Sequence, residues 1–304
     1  MKEVDIAIVG AGTAGMTAAI YAKRSGLELA LFEEYMPGGQ IVNTGEIENY
    51  PALGKIGGFD YSMALLKQVE SLGVKLIRKS VSKAERKEGG FAVAAGKDEY
   101  FAKALIIATG AKNRALGATG EKEFTGRGVS YCATCDGAFY RGKKVAVVGG
   151  GNTAAADALE LSRMCEKVYL IHRRGEFRAQ AADIAKLSEK PNVEFVLNSV
   201  VDEVGGEDSL SYAVVRNVED GSVTRLDVDG VFVAVGQTPT TSLFGGLVKL
   251  DEGGYVVAGE GCVAADGIFV AGDCRTKKVR QLVTAAADGA VAALAAAEYV
   301  AGKG

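Results

Sequence analysis

The chain has 304 residues, room for two domains at about 150 residues each, with five cysteines, one histidine and a formal net charge of -3. A slightly acidic chain without a basic stretch excludes a nucleic-acid footprint, and five scattered cysteines exclude a disulfide-stapled secreted scaffold. Forty-one glycines, no tryptophan and 7% aromatic residues suit the close helix-on-sheet packing of an α/β protein.

In chain order, Met1 to Asp5 leads straight into a strand over Val4 to Val9, without the basic-then-apolar pattern of a secretory leader, so a cytoplasmic location is expected. Gly10-Ala11-Gly12-Thr13-Ala14-Gly15 follows at once, then a helical pattern to about Ser25, then an apolar run from Leu27 to Phe32 that ends on Glu33. Strand, Gly-x-Gly-x-x-Gly, helix, strand and acid form a dinucleotide-binding unit. Gly10 permits the tight turn, Gly12 lets the backbone approach a pyrophosphate, and Gly15 lets helix and strand pack closely. The helix N-terminus offers its unpaired N–H groups to phosphate, and Glu33, 18 positions after Gly15, suits a ribose diol.

The pattern recurs in mid-chain. A strand over Lys144 to Val148 runs into Gly149-Gly150-Gly151-Asn152-Thr153-Ala154, a helix to about Met164 and a strand over Val168 to Ile171. Where the first unit ends on Glu33, the second ends on His172-Arg173-Arg174, with Arg178 close behind. Guanidinium groups match a ribose 2'-phosphate, so the acid-ended unit is expected to bind FAD and the arginine-ended unit NADPH. Just before this second unit stands Cys132-Ala133-Thr134-Cys135-Asp136. In a reducing compartment such spacing reads as a dithiol that cycles through thiolate attack. Asp136 is placed to exchange protons with it, or alternatively to cap a turn. A zinc site would need a second Cys or His pair. Cys165, Cys262 and Cys274 are isolated and His172 is the one histidine, so no metal is expected. The Ala-rich stretch from Leu282 to Val300 carries Asp288 and Glu298 and reads as a packed helix, not a membrane span.

The run Gly126-Arg127-Gly128-Val129-Ser130-Tyr131-Cys132-Ala133-Thr134-Cys135-Asp136-Gly137 resembles the active-site signature of the low-molecular-weight thioredoxin reductases of bacteria. The resemblance extends over nearly the whole chain. It covers Gly38-Gly39-Gln40, Glu48-Asn49-Tyr50-Pro51, Ala108-Thr109-Gly110, His172-Arg173-Arg174 with Arg178, Gly272-Asp273 and Arg280-Gln281. It implies two Rossmann-like dinucleotide-binding domains, the second inserted into the first: an FAD domain over 1–113 and 242–304, and an NADPH domain over 114–241 that carries the dithiol. Gly39, Gln40, Asn49, Ala108, Thr109, Gly110, Gly272, Asp273, Arg280 and Gln281 would join the first turn in holding FAD, and His172 would join the arginine clamp. The implied reaction passes hydride from NADPH through FAD to the Cys132–Cys135 disulfide and on to thioredoxin, with Cys135 nearer the flavin and Cys132 attacking the partner. A homodimer is implied too, as is a rotation of the inserted domain about hinges near 112–118 and 236–241. Three departures stand out. Residues 115–121 lack the family's usual proline, Ala156-Asp157 replaces a common Glu-Glu, and Ala287 replaces a frequent glycine. A peroxidase-linked or ferredoxin-dependent reductase, or a flavoprotein that senses redox state without turnover, are the alternatives. The arginine cluster weighs against ferredoxin as donor.

Overall fold

The computed structural model describes residues 1–302, so the last two positions of the expected 242–304 segment lie outside the described residues. In chain order the elements are β1 (Lys2–Val9), α1 (Thr13–Arg24), β2 (Leu29–Glu33), α2 (Gly58–Ser71), β3 (Leu76–Arg78), β4 (Val81–Lys87), β5 (Gly90–Ala95), β6 (Asp98–Ile107) and β7 (Ala111–Asn113). Next come α3 (Glu121–Phe124), β8 (Val129–Ser130), α4 (Ala133–Asp136), β9 (Lys144–Val148), α5 (Asn152–Leu161), β10 (Lys167–Ile171), α6 (Ala181–Ser188) and β11 (Val193–Val196). The chain closes with β12 (Ser199–Gly206), β13 (Leu210–Asn217), β14 (Val223–Asp227), β15 (Gly230–Val233), β16 (Gln237–Pro239), β17 (Val263–Ala265), β18 (Ile268–Val270) and α7 (Leu282–Ala301).

Two compact units result: Met1–Lys112 with Thr238–Gly304, and Asn113–Gln237 between them. The second crossing falls four residues before the position that the sequence suggested. Its cause is local: Thr240 N–H donates to the Gly110 carbonyl at 3.0 Å, and Phe244 is buried in the first unit's core, so the segment after Gln237 already belongs there. Both crossings lie on β7 and β16, which pair as a two-stranded ribbon.

The first unit is built on a sheet ordered β17-β18-β6-β1-β2-β3, to which the β4–β5 hairpin adds along β6. β1 pairs in parallel with β2 and β6, as a crossover through a helix requires. Alternation sorts its side chains between two cores. Ile6 and Ile8 pack with Met16 of α1, Leu66 and Val69 of α2, and Ala292 and Ala296 of α7. Ala7 and Val9 face the other way, toward Phe32, Phe91, Leu105 and Phe244.

The second unit repeats the plan on a parallel sheet ordered β11-β10-β9-β15-β8. Val145 and Val147 of β9 pack on Ala154, Ala158 and Leu161 of α5. Ala146 and Val148 meet Val201, Val204, Ala213 and Val215 of the antiparallel sheet β12-β13-β14. Both units are thus parallel-sheet Rossmann-like folds, as the sequence pattern predicts. Helix α7 spans 20 residues and is long and apolar enough to cross a membrane by length and composition. One of its faces packs along α1, where a Cβ on Gly289 would lie 2.2 Å from the Ala14 carbonyl oxygen.

Candidate functional site: two nucleotide cradles and a dithiol

In the first unit β1 turns into α1 through a loop that admits only glycine at two points. Gly10 has φ +105°, and a Cβ on Gly15 would lie 1.8 Å from the Gly10 carbonyl oxygen. Helix α1 starts from Gly12 without a side-chain cap, so its first N–H groups stay available to an anion. Glu33 ends β2 beneath this turn. Its Oε2 accepts from Ala11 N–H at 2.8 Å and its Oε1 from Tyr35 N–H at 3.0 Å. Each carboxylate oxygen keeps a lone pair for a ribose hydroxyl.

The distant stretches named above gather around this turn. Gly38 N–H donates to the Ala11 carbonyl at 2.8 Å, which sets Gly39 beside Gly12, and the Gln40 amide donates to the Ala111 carbonyl. Ala108, Thr109 and Gly110 follow β6, and the Ala108 carbonyl lies where a Cβ on Gly10 would clash. Gly272 approaches Ala14, since its Cβ would lie 2.9 Å from the Ala14 Cβ. The Asn49 amide donates to Gln281 Oε1 at 3.3 Å, and Gln281 in turn forms a capping box with Thr284 at the start of α7. Arg280 lies over the Tyr255 ring at 4.3 Å and donates to the Asp273 carbonyl at 3.5 Å.

Three polar atoms in this cradle are buried without a hydrogen-bond partner among the described residues: Thr13 Oγ1, Thr109 Oγ1 and Asp273 Oδ1. The Tyr61 hydroxyl lies near the first and the Cys274 thiol near the second, neither in hydrogen-bonding geometry. Leaving such a group unpaired costs about 1–3 kcal/mol. All three residues follow the ends of parallel strands β1, β6 and β18 around the glycine-rich turn, and their free polar atoms fit the hydroxyls and phosphates of a dinucleotide. Burial pushes the Asp273 carboxyl above its ordinary range, against the pull of Lys277 and Arg280.

The loop that carries Asp273 is held from behind by Asp288 of α7. Asp288 Oδ2 accepts from Gly272 N–H at 3.0 Å, Arg275 Nε at 2.9 Å and Lys277 Nζ at 2.8 Å, and its Oδ1 accepts from Arg275 Nη2 at 2.7 Å. Burial alone would raise this carboxyl, but the bonds from Arg275 and Lys277 outweigh it and hold the group below its usual value.

The second unit repeats the turn with a different rim. Gly151 has no atom within 4 Å of a notional Cβ, and α5 begins there without a side-chain cap. Arg178 N–H donates to the Gly150 carbonyl at 2.7 Å, and Gln180 N–H to Asn152 Oδ1 at 2.9 Å, so the stretch after β10 folds back over the turn. Ala154 is buried under the turn, whereas Asn152 and Thr153 are exposed. His172 is 4% exposed, lies flat against Gly150 and stacks on Phe177 at 5.5 Å, with Nε2 buried and unpartnered among the described residues. Burial, and then the arginines around it, push the His172 imidazole below its ordinary value, so it stays neutral. Arg173, Arg174 and Arg178 are exposed, and none forms an ion pair among the described residues. The residues present fit a nucleotide that carries an additional phosphate.

The dithiol lies at the far end of α5 from this turn, about 12 Å along the helix at 1.5 Å per residue. Cys132 and Cys135 are joined as a disulfide with Cα atoms 5.3 Å apart; Cys132 is half-buried and Cys135 exposed. Cys135 N–H donates to Cys132 Sγ at 3.2 Å, and Thr134 Oγ1 donates to Glu160 Oε2 of α5 at 3.0 Å. The Asp136 carboxyl folds back under the pair, where Ser130 Oγ donates to its Oδ2 at 2.6 Å while accepting from Cys132 N–H at 3.1 Å. Burial raises the Asp136 carboxyl and the Ser130 bond only partly offsets it.

Sequence reasoning passed over Ser130, Glu121 and the role of Asp288. Only Asp288 left a signal, as a carboxylate set in the first half of an alanine-rich helix. Asp157, at a departure from the family pattern, is pushed up to about 7 by burial and by neighbouring Glu160. Cys165, Cys262 and Cys274 are buried free thiols, each pushed up to about 11 by burial, which leaves them inert at neutral pH. Among the described residues, no three His, Cys, Asp or Glu side chains gather as a metal site.

A family profile for pyridine nucleotide-disulphide oxidoreductases matches residues 4–289. A thioredoxin reductase of Listeria monocytogenes is 42% identical over 98% of this chain and 94% of its own length, and one of Bacillus subtilis is 38% identical over 98% and 95%. Among solved structures, thioredoxin reductase from Streptococcus pyogenes superposes with a TM-score of 0.95 at 41% identity, covering 99% of both chains. That from Giardia duodenalis does so with a TM-score of 0.93 at 36% identity, over 99% of this chain and all of the other. With two glycine-rich cradles, a bonded cysteine pair and likeness over nearly its full length, the chain belongs to the pyridine nucleotide-disulphide oxidoreductase family, within its thioredoxin reductase group.

Proposed function

We propose that the chain is an NADPH-dependent thioredoxin-disulfide reductase: FAD in the first unit, NADPH in the second, and Cys132–Cys135 as the disulfide that reduces thioredoxin. The observation that carries this reading is the distribution of orphaned polar atoms. Thr13, Thr109 and Asp273 lie in the acid-ended cradle and His172 in the arginine-ended one, each buried and each lacking a protein partner among the described residues. Bound in the two cradles, nicotinamide and flavin supply hydride transfer to the disulfide.

The protein's own groups do the rest. The turn at Gly10 to Gly15 and Glu33 orient the first dinucleotide, aided by Gly39, Gln40, Asn49, the 108–110 turn, Gly272, Asp273, Arg280 and Gln281. Gly149 to Ala154 seats the second, with His172, Arg173, Arg174 and Arg178 gripping its 2'-phosphate. Cys135 N–H, 3.2 Å from Cys132 Sγ, is placed to stabilise a thiolate there after reduction. Asp136, kept protonated to higher pH than an ordinary aspartate by burial, holds the proton that a departing thiolate needs. Since dithiol and nicotinamide cradle share one unit, a hinge at the β7–β16 ribbon, which overlaps the start of the expected 112–118 segment and falls inside the 236–241 segment, lets each serve the flavin in turn. The enzyme is read as a cytoplasmic homodimer. Val283, Val291 and Leu294, exposed along one face of α7, support this, because a second copy covers such a face.

The test is NADPH consumption that depends on oxidised thioredoxin. Replacing Arg174 and Arg178 with alanine is expected to raise KM for NADPH roughly ten- to hundredfold, the worth of one or two charge-assisted hydrogen bonds, and to leave that for NADH unchanged. Consumption indifferent to thioredoxin, or equal loss with both nucleotides, contradicts the reading.

A further inference from the structure

Glu121 is a buried carboxylate, 6% exposed, that forms no ion pair among the described residues. Its charge is met by three hydrogen bonds instead. Leu116 N–H donates to Oε1 at 2.7 Å, Gly117 N–H to Oε2 at 2.8 Å, and the Tyr131 hydroxyl to Oε1 at 2.8 Å. Two of these donors belong to the segment that has just entered the second unit. The third belongs to the residue covalently joined to Cys132. A carboxylate without a cation is an expensive way to close a surface turn, since a buried charge must be fully solvated by hydrogen bonds. The placement joins two stretches whose relative position fixes where Cys132 sits.

The turn from β8 into α4 is held on its other flank by Ser130, which bonds both Asp136 and Cys132 N–H. While the disulfide is intact, the covalent bond also constrains the turn. Once it is reduced, the Cys132 backbone is still held by Ser130 Oγ on its N–H and by the Cys135 and Asp136 N–H groups on its carbonyl, at 3.3 and 3.1 Å, while Tyr131 ties the preceding residue to Glu121. Cys132 must stay in its extended conformation, φ -148° and ψ 101°, for Cys135 N–H to reach its sulfur.

We infer that Glu121 and Tyr131 are positioning residues of the dithiol, which hold the reduced Cys132 against the Cys135 amide so that its thiolate forms at neutral pH. Tyr131 suits the task as a permanent donor, because burial and then the adjacent Glu121 push its hydroxyl up to about 12. The titratable groups around the pair are Asp136 below it, Glu160 on α5 bonded to Thr134, and Tyr140, whose hydroxyl burial and then Asp136 push up to about 12. Tyr131→Phe leaves all three in place, so a change in Cys132 is not theirs.

The inference rests on the redox reading of the cysteines but is tested apart from it. In a Cys135→Ser background Cys132 is the one thiol of the chain that is not buried. Its alkylation by iodoacetamide, followed against pH on the full-length protein, needs neither cofactor nor thioredoxin. Adding Tyr131→Phe is expected to slow alkylation at neutral pH by about tenfold, the value of one hydrogen bond to a charged group, with the two rates converging at alkaline pH. Glu121→Gln should do the same, and Glu121→Asp should restore part of the rate. If Glu121→Gln does not fold, Tyr131→Phe still decides, with its thermal melt as the control. Identical pH profiles with and without the tyrosine hydroxyl overturn the inference, as does a slowing that persists unchanged at alkaline pH. A wild-type protein that fails to reduce thioredoxin would refute the proposed function and leave this profile standing.

Discussion

Cys132→Ser and Cys135→Ser are each expected to abolish thioredoxin reduction, by about a thousandfold or more, while NADPH still bleaches the bound flavin. The two sulfurs form the single disulfide between the cradles' chemistry and any protein substrate, so losing either one removes the two-electron store. Neither sulfur contributes to the glycine turns, the arginine cluster or the Asp273 loop, so nucleotide binding is untouched. The variants should differ in one respect. With Cys132 as the attacking sulfur, Cys135→Ser is expected to form a lasting mixed disulfide with a thioredoxin that keeps one active-site cysteine, activated as its thionitrobenzoate disulfide so that thionitrobenzoate leaves and no second thiol remains to reverse the step, and Cys132→Ser is not. Non-reducing electrophoresis after mixing with that activated thioredoxin reads this directly. Trapping by the Cys132→Ser protein alone would reverse the assigned roles.

Asp288→Asn is expected to lower the stability of the first unit by roughly 3–5 kcal/mol, the usual penalty for breaking a buried ion pair from one side. The carboxylate is 8% exposed, against 11% for Arg275 and 7% for Lys277, so solvent does little to screen what is left. Both cations then lie buried with a neutral amide between them, and the bond to Gly272 N–H weakens. Because Gly272 leads directly into Asp273, flavin retention should fall with stability. Urea unfolding and flavin content after gel filtration measure the two effects, and a variant that keeps its full flavin content refutes the positioning role. The pH dependence has a definite sign. The Asp288 carboxyl lies below its ordinary 3.8 in the folded protein, so its contribution is fully present above that pH and is lost as pH falls through the lower folded value. The wild type should therefore hold flavin through mild acid, and the asparagine variant should lack this acid-dependent step.

What was legible in the sequence is what local backbone geometry dictates. Gly10 and Gly15 are needed because a turn this tight leaves no space for a Cβ, and that need shows in any sequence that makes the turn. The exchange of Glu33 for Arg173 and Arg174 was equally plain, since both stand at the same point of a repeated strand-helix-strand unit. The cysteine pair declares itself by spacing. Less legible were residues whose meaning arises only in packing. Glu121 looks like an ordinary helix-starting acid until Leu116, Gly117 and Tyr131 are seen to converge on it. Ser130 reads as a strand residue, and its link between Asp136 and the Cys132 amide depends on how the chain turns after β8. The second crossing was placed late because Thr240 and Phe244 are bound to the first unit by long-range contacts that carry no local signature.

The central claim, that two nucleotide cradles feed one dithiol, is tested most directly by anaerobic spectroscopy of the flavin-loaded protein. NADPH is added first and oxidised thioredoxin second. The account predicts that NADPH bleaches the flavin, that NADH at the same concentration does so far less, and that thioredoxin then restores the oxidised spectrum in the wild type but not in Cys132→Ser. A flavin that neither nucleotide reduces, or a reduced flavin that thioredoxin leaves bleached in the wild type, would contradict it.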